Sequence, residues 1–191
     1  MSFQHQKRLV VLASGSGTNL QAIIDRFHRR SHILISAVIS DQDSQSLKRA
    51  IATGVPSFYL PKRDLTRKQY DEELARLIDI YHPDFIILAG FMRILSPGFV
   101  AKYRQRIINI HPSLLPKYKG LNTHQRVLDH GDKLHGTSVH YVSEALDSGR
   151  IIAQKAIPVT KEDNALSLEN RIKALEHQLY PEVIQKLCDQ V

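Results

Sequence analysis

The chain has a single cysteine, Cys188, among 191 residues. That excludes an intramolecular disulfide and a cysteine zinc site, and it suits a reducing compartment. No apolar run approaches the roughly 18 residues needed to cross a bilayer; the stretch Phe85-Ile86-Ile87-Leu88 is soon broken by Arg93. Near the N-terminus, Leu9-Val10-Val11-Leu12-Ala13 is too short for the apolar part of a secretion signal and leads straight into a glycine loop. A cytoplasmic protein with no membrane partner is expected. Repeats, low-complexity tracts and linkers are also missing, so 1–191 is read as one domain, large enough to bury a substantial core. Acidic residues are the minority: 26 Lys and Arg against 19 Asp and Glu leave a net charge of +7. Such a balance attracts nucleic acid, an anionic membrane, or a phosphorylated or polycarboxylate small molecule. The basic groups, Arg26/Arg29/Arg30, Lys62/Arg63/Arg67/Lys68 and Lys102/Arg104/Arg106, lack aromatic interleaving, an RNA motif or zinc-finger spacing. Solvated helix faces explain most of them, and no nucleic-acid partner is expected.

What is present is an alternation of apolar strands with amphipathic helices. Lys7 to Ala13 reads as a strand, and Asn19 to Arg30 as a helix with Leu20, Ile23, Ile24 and Phe27 on one face. Ile33 to Ser40 is a second strand, Ser46 to Thr53 a helix, and Ser57 to Leu60 a short third strand after the Gly54-Val55-Pro56 break. Asp64 or Thr66 can cap a helix running to about Tyr81, with Tyr70, Leu74, Leu77 and Ile78 as its buried stripe. Phe85 to Leu88 is a fully apolar strand. From Asn109 the pattern changes to a Pro- and Gly-rich loop, a helix at His124 to Asp129, and strands at Gly136 to Val142 and Ile151 to Pro158. A last helix spans about Leu166 to Leu187, interrupted or bent near Pro181. The pattern predicts an α/β fold: a Rossmann-like open, mostly parallel twisted sheet, helices on both faces, and a mixed C-terminal part.

Four segments carry chemistry. In Ile107-Ile108-Asn109-Ile110-His111-Pro112, strand alternation turns Asn109 and His111 the same way while Ile108 and Ile110 anchor the other face. Pro112 cannot extend a sheet ladder, so both polar groups stand at an open strand end. An amide beside an imidazole can stabilise an oxyanion and move a proton, although in isolation such a pair more often satisfies a turn. Next, Ala13-Ser14-Gly15-Ser16-Gly17-Thr18-Asn19 joins the first strand to the first helix, where free N–H groups and the helix dipole suit a phosphate. The third glycine of a dinucleotide fingerprint is replaced by Leu20 and no Gly-Lys-Ser/Thr follows, so neither familiar nucleotide motif is complete, and a plain tight turn competes equally. Third, Leu88-Ala89-Gly90-Phe91-Met92-Arg93-Ile94-Leu95 leaves the fourth strand at the sheet edge that forms ligand crevices, with Met92, Ile94 and Leu95 able to wall a flat ring. Fourth, His135-Gly136-Thr137-Ser138-Val139-His140 precedes Leu146-Asp147-Ser148-Gly149, where Asp147 alone would be a turn aspartate.

Taken together, these segments resemble the phosphoribosylglycinamide formyltransferases, folate-dependent enzymes of de novo purine synthesis, over nearly the whole chain. Asn109-x-His111 with a distant Asp147 marks the wider formyltransferase superfamily; Gly15 to Gln21 and Glu176-His177 point to this member. The resemblance implies Asn109, His111 and Asp147 as catalytic residues, the amine of glycinamide ribonucleotide as acceptor and 10-formyltetrahydrofolate as formyl donor, with no metal. It implies that Gly15, Ser16, Gly17, Thr18, Asn19, Leu20, Gly90, Pro112, Lys173 and Glu176 serve the phosphate and ribonucleotide. Arg67, Phe91, Met92, Arg93, Ile94, Leu95, Asn109, Ser143, Glu144, Ala145, Leu146 and Asp147 serve the folate. Leu115-Pro116 corresponds to a cis peptide in the family, where sequence alone would give trans. Asp41 and Asn122 stand where relatives often carry Asn and His, and the chain lacks the tail of many relatives. A tRNA-directed formyltransferase or a formyltetrahydrofolate deformylase would share the triad but normally carries an added domain, for which this chain has no room. A non-catalytic nucleotide- or RNA-binding module is the reading from another class. Partners are expected to be small molecules only, with the chain a monomer or homodimer.

Overall fold

The computed structural model describes residues 6–29 and 32–190. Strands β1 (Lys7–Ala13), β2 (Ile33–Ser40), β3 (Ser57–Tyr59), β4 (Phe85–Leu88) and β5 (Ile107–His111) alternate with helices α1 (Thr18–Phe27), α2 (Gln45–Thr53), α3 (Arg67–Asp79) and α4 (Pro97–Lys102). Then follow α5 (Thr123–Asp129), β6 (Leu134–Tyr141), β7 (Ile151–Pro158) and α6 (Ala165–Asp189). The strands make one sheet in the order β3-β2-β1-β4-β5-β6-β7. Pairings among the first five are parallel; β5–β6 and β6–β7 are antiparallel. This is the open α/β sheet with a mixed C-terminal part that the alternation implies.

Alternation along each strand splits the core in two. Leu9, Val11, Ile87, Ile108 and Ile110 pack with the apolar faces of α1 and α6, including Leu20, Ile23, Phe27, Leu179, Tyr180 and Ile184. Val10, Leu12, Ile39, Ile86, Leu88 and Ile107 pack on the opposite face with Tyr70, Leu74 and Ile78 of α3 and with Phe99 and Tyr103. Both faces of the parallel strands are therefore covered, which is why they read as continuous apolar runs.

Several boundaries differ from the sequence reading. Helix α1 ends at Phe27 because His28 is extended and Arg29 has φ of 57°; Arg30 lies outside the described residues. Thr66, not Asp64, caps α3 through a capping box with Gln69, and Leu77 is only half-buried while Asp71 is buried, its carboxylate accepting the Ser96 N–H. Helix α4 is absent from the sequence reading, although Ser96 as cap followed by Pro97 in the first turn is its start signal. Helix α6 runs unbroken through Pro181, which is buried with its neighbours Tyr180 and Val183; packing on the sheet outweighs the lost backbone bond. The Leu115-Pro116 peptide is cis.

Chain order fixes where a ligand can lie. From β1 the chain steps outward to β2 and β3, then returns to β4 and β5 on the other side. Such a reversal opens a crevice at the carboxyl ends of β1 and β4, between the loops that follow them.

Candidate active site

The loop after β1 is held by its neighbours. Gly17 adopts φ of 69°, and a Cβ there would lie 2.8 Å from the Ser46 Cα. Helix α2 grips the same loop: the Ser46 N–H donates to the Gly15 carbonyl (3.1 Å) and Arg49 Nε to the Ser16 carbonyl (2.9 Å). No side chain caps α1, so its first N–H groups are left for a ligand. Ser14 ties this loop to the one after β4. Its N–H donates to the Gly90 carbonyl (3.2 Å) and its Oγ accepts the Met92 N–H (2.9 Å). Ser14 belongs to the glycine loop singled out in the sequence but had no role of its own there, its only local sign being a small polar residue at a strand end.

At the end of β5, Asn109 and His111 share a face, as expected. The antiparallel register sets Asn109 opposite His140 of β6, and their side chains meet, Asn109 Nδ2 to His140 Nε2 at 3.2 Å. His140 Nδ1 lies 2.9 Å from the Tyr141 carbonyl. A carbonyl only accepts, so Nδ1 carries the proton and Nε2 receives an Asn109 N–H. Burial lowers the His140 pKa, the Tyr141 carbonyl and the Asp147 carboxylate opposing it, which keeps the ring neutral in this tautomer. The same logic applies to His111: Nε2 faces the Tyr118 carbonyl at 2.9 Å and donates to it, leaving Nδ1 3.4 Å from Asp147 Oδ2. Asp147 comes from the loop after β6, has φ of 45°, and accepts the Gly120 N–H at 2.9 Å. One carboxylate thus closes the 118–121 loop and confronts the imidazole.

That loop is anchored from behind. Ser138 Oγ donates to the Ser113 carbonyl (2.6 Å) and accepts the Leu115 N–H (3.0 Å), while Gln154 Nε2 donates to the Leu115 carbonyl (2.9 Å). Asn122 takes φ of 57° at the start of α5, a conformation asparagine tolerates well. Asp41 sits at the end of β2 with its Oδ1 buried and unpaired.

Beside Asn109 and Asp147 lies a cleft walled by Leu88, Phe91, Arg93, Ile94, Leu95, Val142, Ser143, Glu144 and Leu146. An apolar slot ending in amide, imidazole and carboxylate suits a flat ring with a polar edge. Of the residues assigned to folate by resemblance, Met92, Ala145 and Arg67 do not line this cleft. Met92 is exposed and joins through its backbone; Arg67 is exposed in the first turn of α3. The Arg93 guanidinium lies 3.9 Å from the Tyr70 ring centre.

From the other side α6 delivers Glu176, 5% exposed. Its Oε2 accepts Asn19 Nδ2 at 2.8 Å, joining the last helix to the glycine loop. Thr137 Oγ1 lies 3.3 Å from Oε1. Burial pushes the Glu176 carboxyl up to about 7 against the pull of these two hydrogen bonds. Lys173 pairs with Glu169 one turn earlier. Pro112, immediately after β5, is half-buried. His140 and Thr137 belonged to a segment singled out in the sequence but had no role there; only strand register could assign one. Among the described residues, no cluster of three or more His, Cys, Asp or Glu side chains could hold a metal, and no helix is long and apolar enough to cross a membrane.

Residues 7–184 match the formyl transferase family. Over 184 residues the chain is 47% identical to the phosphoribosylglycinamide formyltransferase of Escherichia coli (strain K12), covering 95% of this chain and 87% of that one. It is 43% identical over 194 residues to the trifunctional purine biosynthetic protein adenosine-3 of Drosophila melanogaster, spanning 99% of this chain and only 14% of that protein. The phosphoribosylglycinamide formyltransferase structure from Coxiella burnetii superposes with a TM-score of 0.92 at 47% identity, covering 96% of this chain and 88% of that one.

Proposed function

The chain belongs to the formyl transferase family, and from that premise we propose that it transfers the formyl group of 10-formyltetrahydrofolate to the amine of 5-phosphoribosylglycinamide in purine biosynthesis. The reading places the enzyme in the cytoplasm as one domain acting on small molecules. The observation that carries the chemistry is that Asn109 and Asp147 line the cleft while His111, on the same face of β5 as Asn109, brings its Nδ1 to 3.4 Å from the Asp147 carboxylate.

The donor supplies an activated formyl carbon and a nitrogen leaving group, and the cleft from Phe91 to Leu95 and Ser143 to Leu146 would hold its ring. The ribonucleotide would lie on the other side of the β1–β4 crevice, its phosphate on the backbone of Gly15 to Leu20 and its ribose toward Glu176, with Gly90, Pro112 and Lys173 nearby. The substrate amine adds to the formyl carbon and the carbonyl π pair moves onto oxygen as the new N–C bond forms; when that oxyanion collapses, the carbonyl is restored and the bond to the folate nitrogen breaks. The free N–H of Asn109 and a protonated His111 would stabilise that oxygen. Asp147 would balance the imidazolium and order the water that carries a proton from the attacking amine to the leaving nitrogen.

The test is folate release from 10-formyltetrahydrofolate with and without the ribonucleotide, for the wild type and His111→Ala. Release that needs the ribonucleotide and falls about 100- to 1,000-fold in the variant is expected for loss of one oxyanion donor. Release without any amine would make the chain a deformylase, and an active His111→Ala would remove the site assignment.

A further inference from the structure

Glu176 and His111 are held on opposite sides of one side chain. Thr137 sits on β6 with its hydroxyl 2.9 Å from the His111 carbonyl and 3.3 Å from Glu176 Oε1, in a setting with no exposure to solvent. A hydroxyl has one proton to give, and here two acceptors face it. The His111 carbonyl also accepts the Ser113 N–H at 2.8 Å, so it is the hinge between strand β5 and the loop that returns to His111 through the Tyr118 carbonyl. On the far side, Asn19 holds Glu176 Oε2 at 2.8 Å, which leaves Oε1 to face Thr137. A continuous path runs from the glycine loop through Asn19, Glu176 and Thr137 to the backbone of His111.

We propose that Thr137 is a positioning residue: its hydroxyl links the Glu176 carboxyl to the His111 backbone, so that the state of the ribonucleotide pocket sets the seat of His111. The identity of that pocket rests on the functional reading above; the link itself does not. While Glu176 is an anion, its Oε1 and the His111 carbonyl compete for the one Thr137 proton. Once Oε1 carries a proton of its own, Glu176 donates to Thr137 Oγ1, and Thr137 gives its proton wholly to His111. A ligand hydroxyl donating to Oε1 has a related effect, because it reduces the draw of the carboxylate on Thr137. Both charge states of Glu176 are accessible near neutrality, since burial holds its carboxyl at about 7.

The charges that act on Glu176 come from its own helix: Lys173 favours the anion and Glu169 opposes it, with Tyr180 one turn further along sensing the carboxylate in return. Helix α1 and strand β6 contribute neutral donors, Asn19 and Thr137. His124 of α5, whose own pKa burial lowers, faces the Glu169–Lys173 pair and His111.

The experiment is a pH titration of the ligand-free full chain, reading the Glu176 carboxyl by carbon NMR and the His111 ring by nitrogen NMR, in the wild type, Thr137→Val, Thr137→Ser and Asn19→Ala. In the wild type the His111 signals should carry an inflection at the Glu176 midpoint. Thr137→Ser keeps that inflection and Thr137→Val, which matches the shape without the hydroxyl, abolishes it. Asn19→Ala moves the Glu176 midpoint and the dependent His111 inflection upward together, and this arm stands even if Thr137→Val does not fold. In turnover, Thr137→Val should lower kcat about tenfold, the size of one lost hydrogen bond, with KM for the folate unchanged and most of the rate restored in Thr137→Ser. His111 signals blind to the Glu176 titration would overturn the proposal. So would a serine variant worse than valine, which would mean that the Thr137 methyl packs and its hydroxyl does nothing. A wild type that shows the coupling but turns over no ribonucleotide would defeat the functional reading alone.

Discussion

His140 shows how one buried ring can decide the orientation of a reacting group. Its Nδ1 is committed to the Tyr141 carbonyl, so its Nε2 can only accept, and the Asn109 amide must turn its nitrogen toward it. One amide N–H is spent on that contact and the other remains for the developing oxyanion. Replacing His140 by alanine frees the amide to rotate; kcat should fall about tenfold or more with KM for both substrates nearly unchanged, as steady-state kinetics would show. Gly17 makes a different demand. Its positive φ and the 2.8 Å approach that a Cβ would make to the Ser46 Cα leave no room for a side chain. Gly17→Ala should lose about 1–3 kcal/mol in urea denaturation and weaken ribonucleotide binding, because strain at this point moves the N–H groups of the first turn. Gly15→Ala is the stability control, since nothing lies within 4 Å of its would-be Cβ.

Among the elements, α6 has the most separate duties. Its apolar face closes one core, Tyr180 reaches the Leu88 and Ile108 carbonyls at 3.0 and 2.9 Å, and Glu176 enters the site. The helix begins in a capping box, with Asn164 accepting the Ser167 N–H at 2.9 Å. Asn164→Ala should cost about 1 kcal/mol of stability, read by chemical denaturation. Glu176 is buried several turns beyond that cap, so KM for the ribonucleotide should not change. The presence and approximate extent of this helix were legible in the sequence, although its cap Asn164 was not singled out there. Its passage through Pro181 was not, because the packing that outweighs the missing backbone bond comes from strands far away in the chain.

For the whole molecule, Glu176 and His135 tilt the pH dependence of stability in opposite senses. Burial lifts the Glu176 carboxyl to about 7 from an ordinary 4.5, so the folded state holds an extra proton between those values. Its stabilising contribution is full below 4.5 and is lost as pH rises through 7, about 3 kcal/mol in all. His135, buried beside His124, is lowered to about 4 from 6.5. Its contribution is full above 6.5 and is lost as pH falls through 4, again about 3 kcal/mol. Between pH 4.5 and 6.5 the two slopes offset one another. Glu176→Gln removes one of them: the stability of the variant relative to the wild type should grow from pH 5 to pH 8, measured by urea denaturation at each pH. A difference that does not change with pH would mean that Glu176 is not held protonated by its surroundings.

The sequence by itself determined the sheet-and-helix order, the two-sided burial of the parallel strands, and the shared face of Asn109 and His111. Those follow from periodicity, and periodicity is local: alternation places residues two apart together, and helical spacing places residues three and four apart together. It also carried the family resemblance, because the motifs are contiguous words. The tertiary structure decided what the words do to each other. The 3.4 Å approach of Asp147 to His111 joins a strand end to a distant loop, and the 2.8 Å bond from Asn19 to Glu176 joins the first helix to the last. His140 and Thr137 acquired roles only when antiparallel register set β6 against β5. No spacing rule reaches across such separations; the contacts exist because burial of two apolar cores on one sheet brings those elements to the same edge.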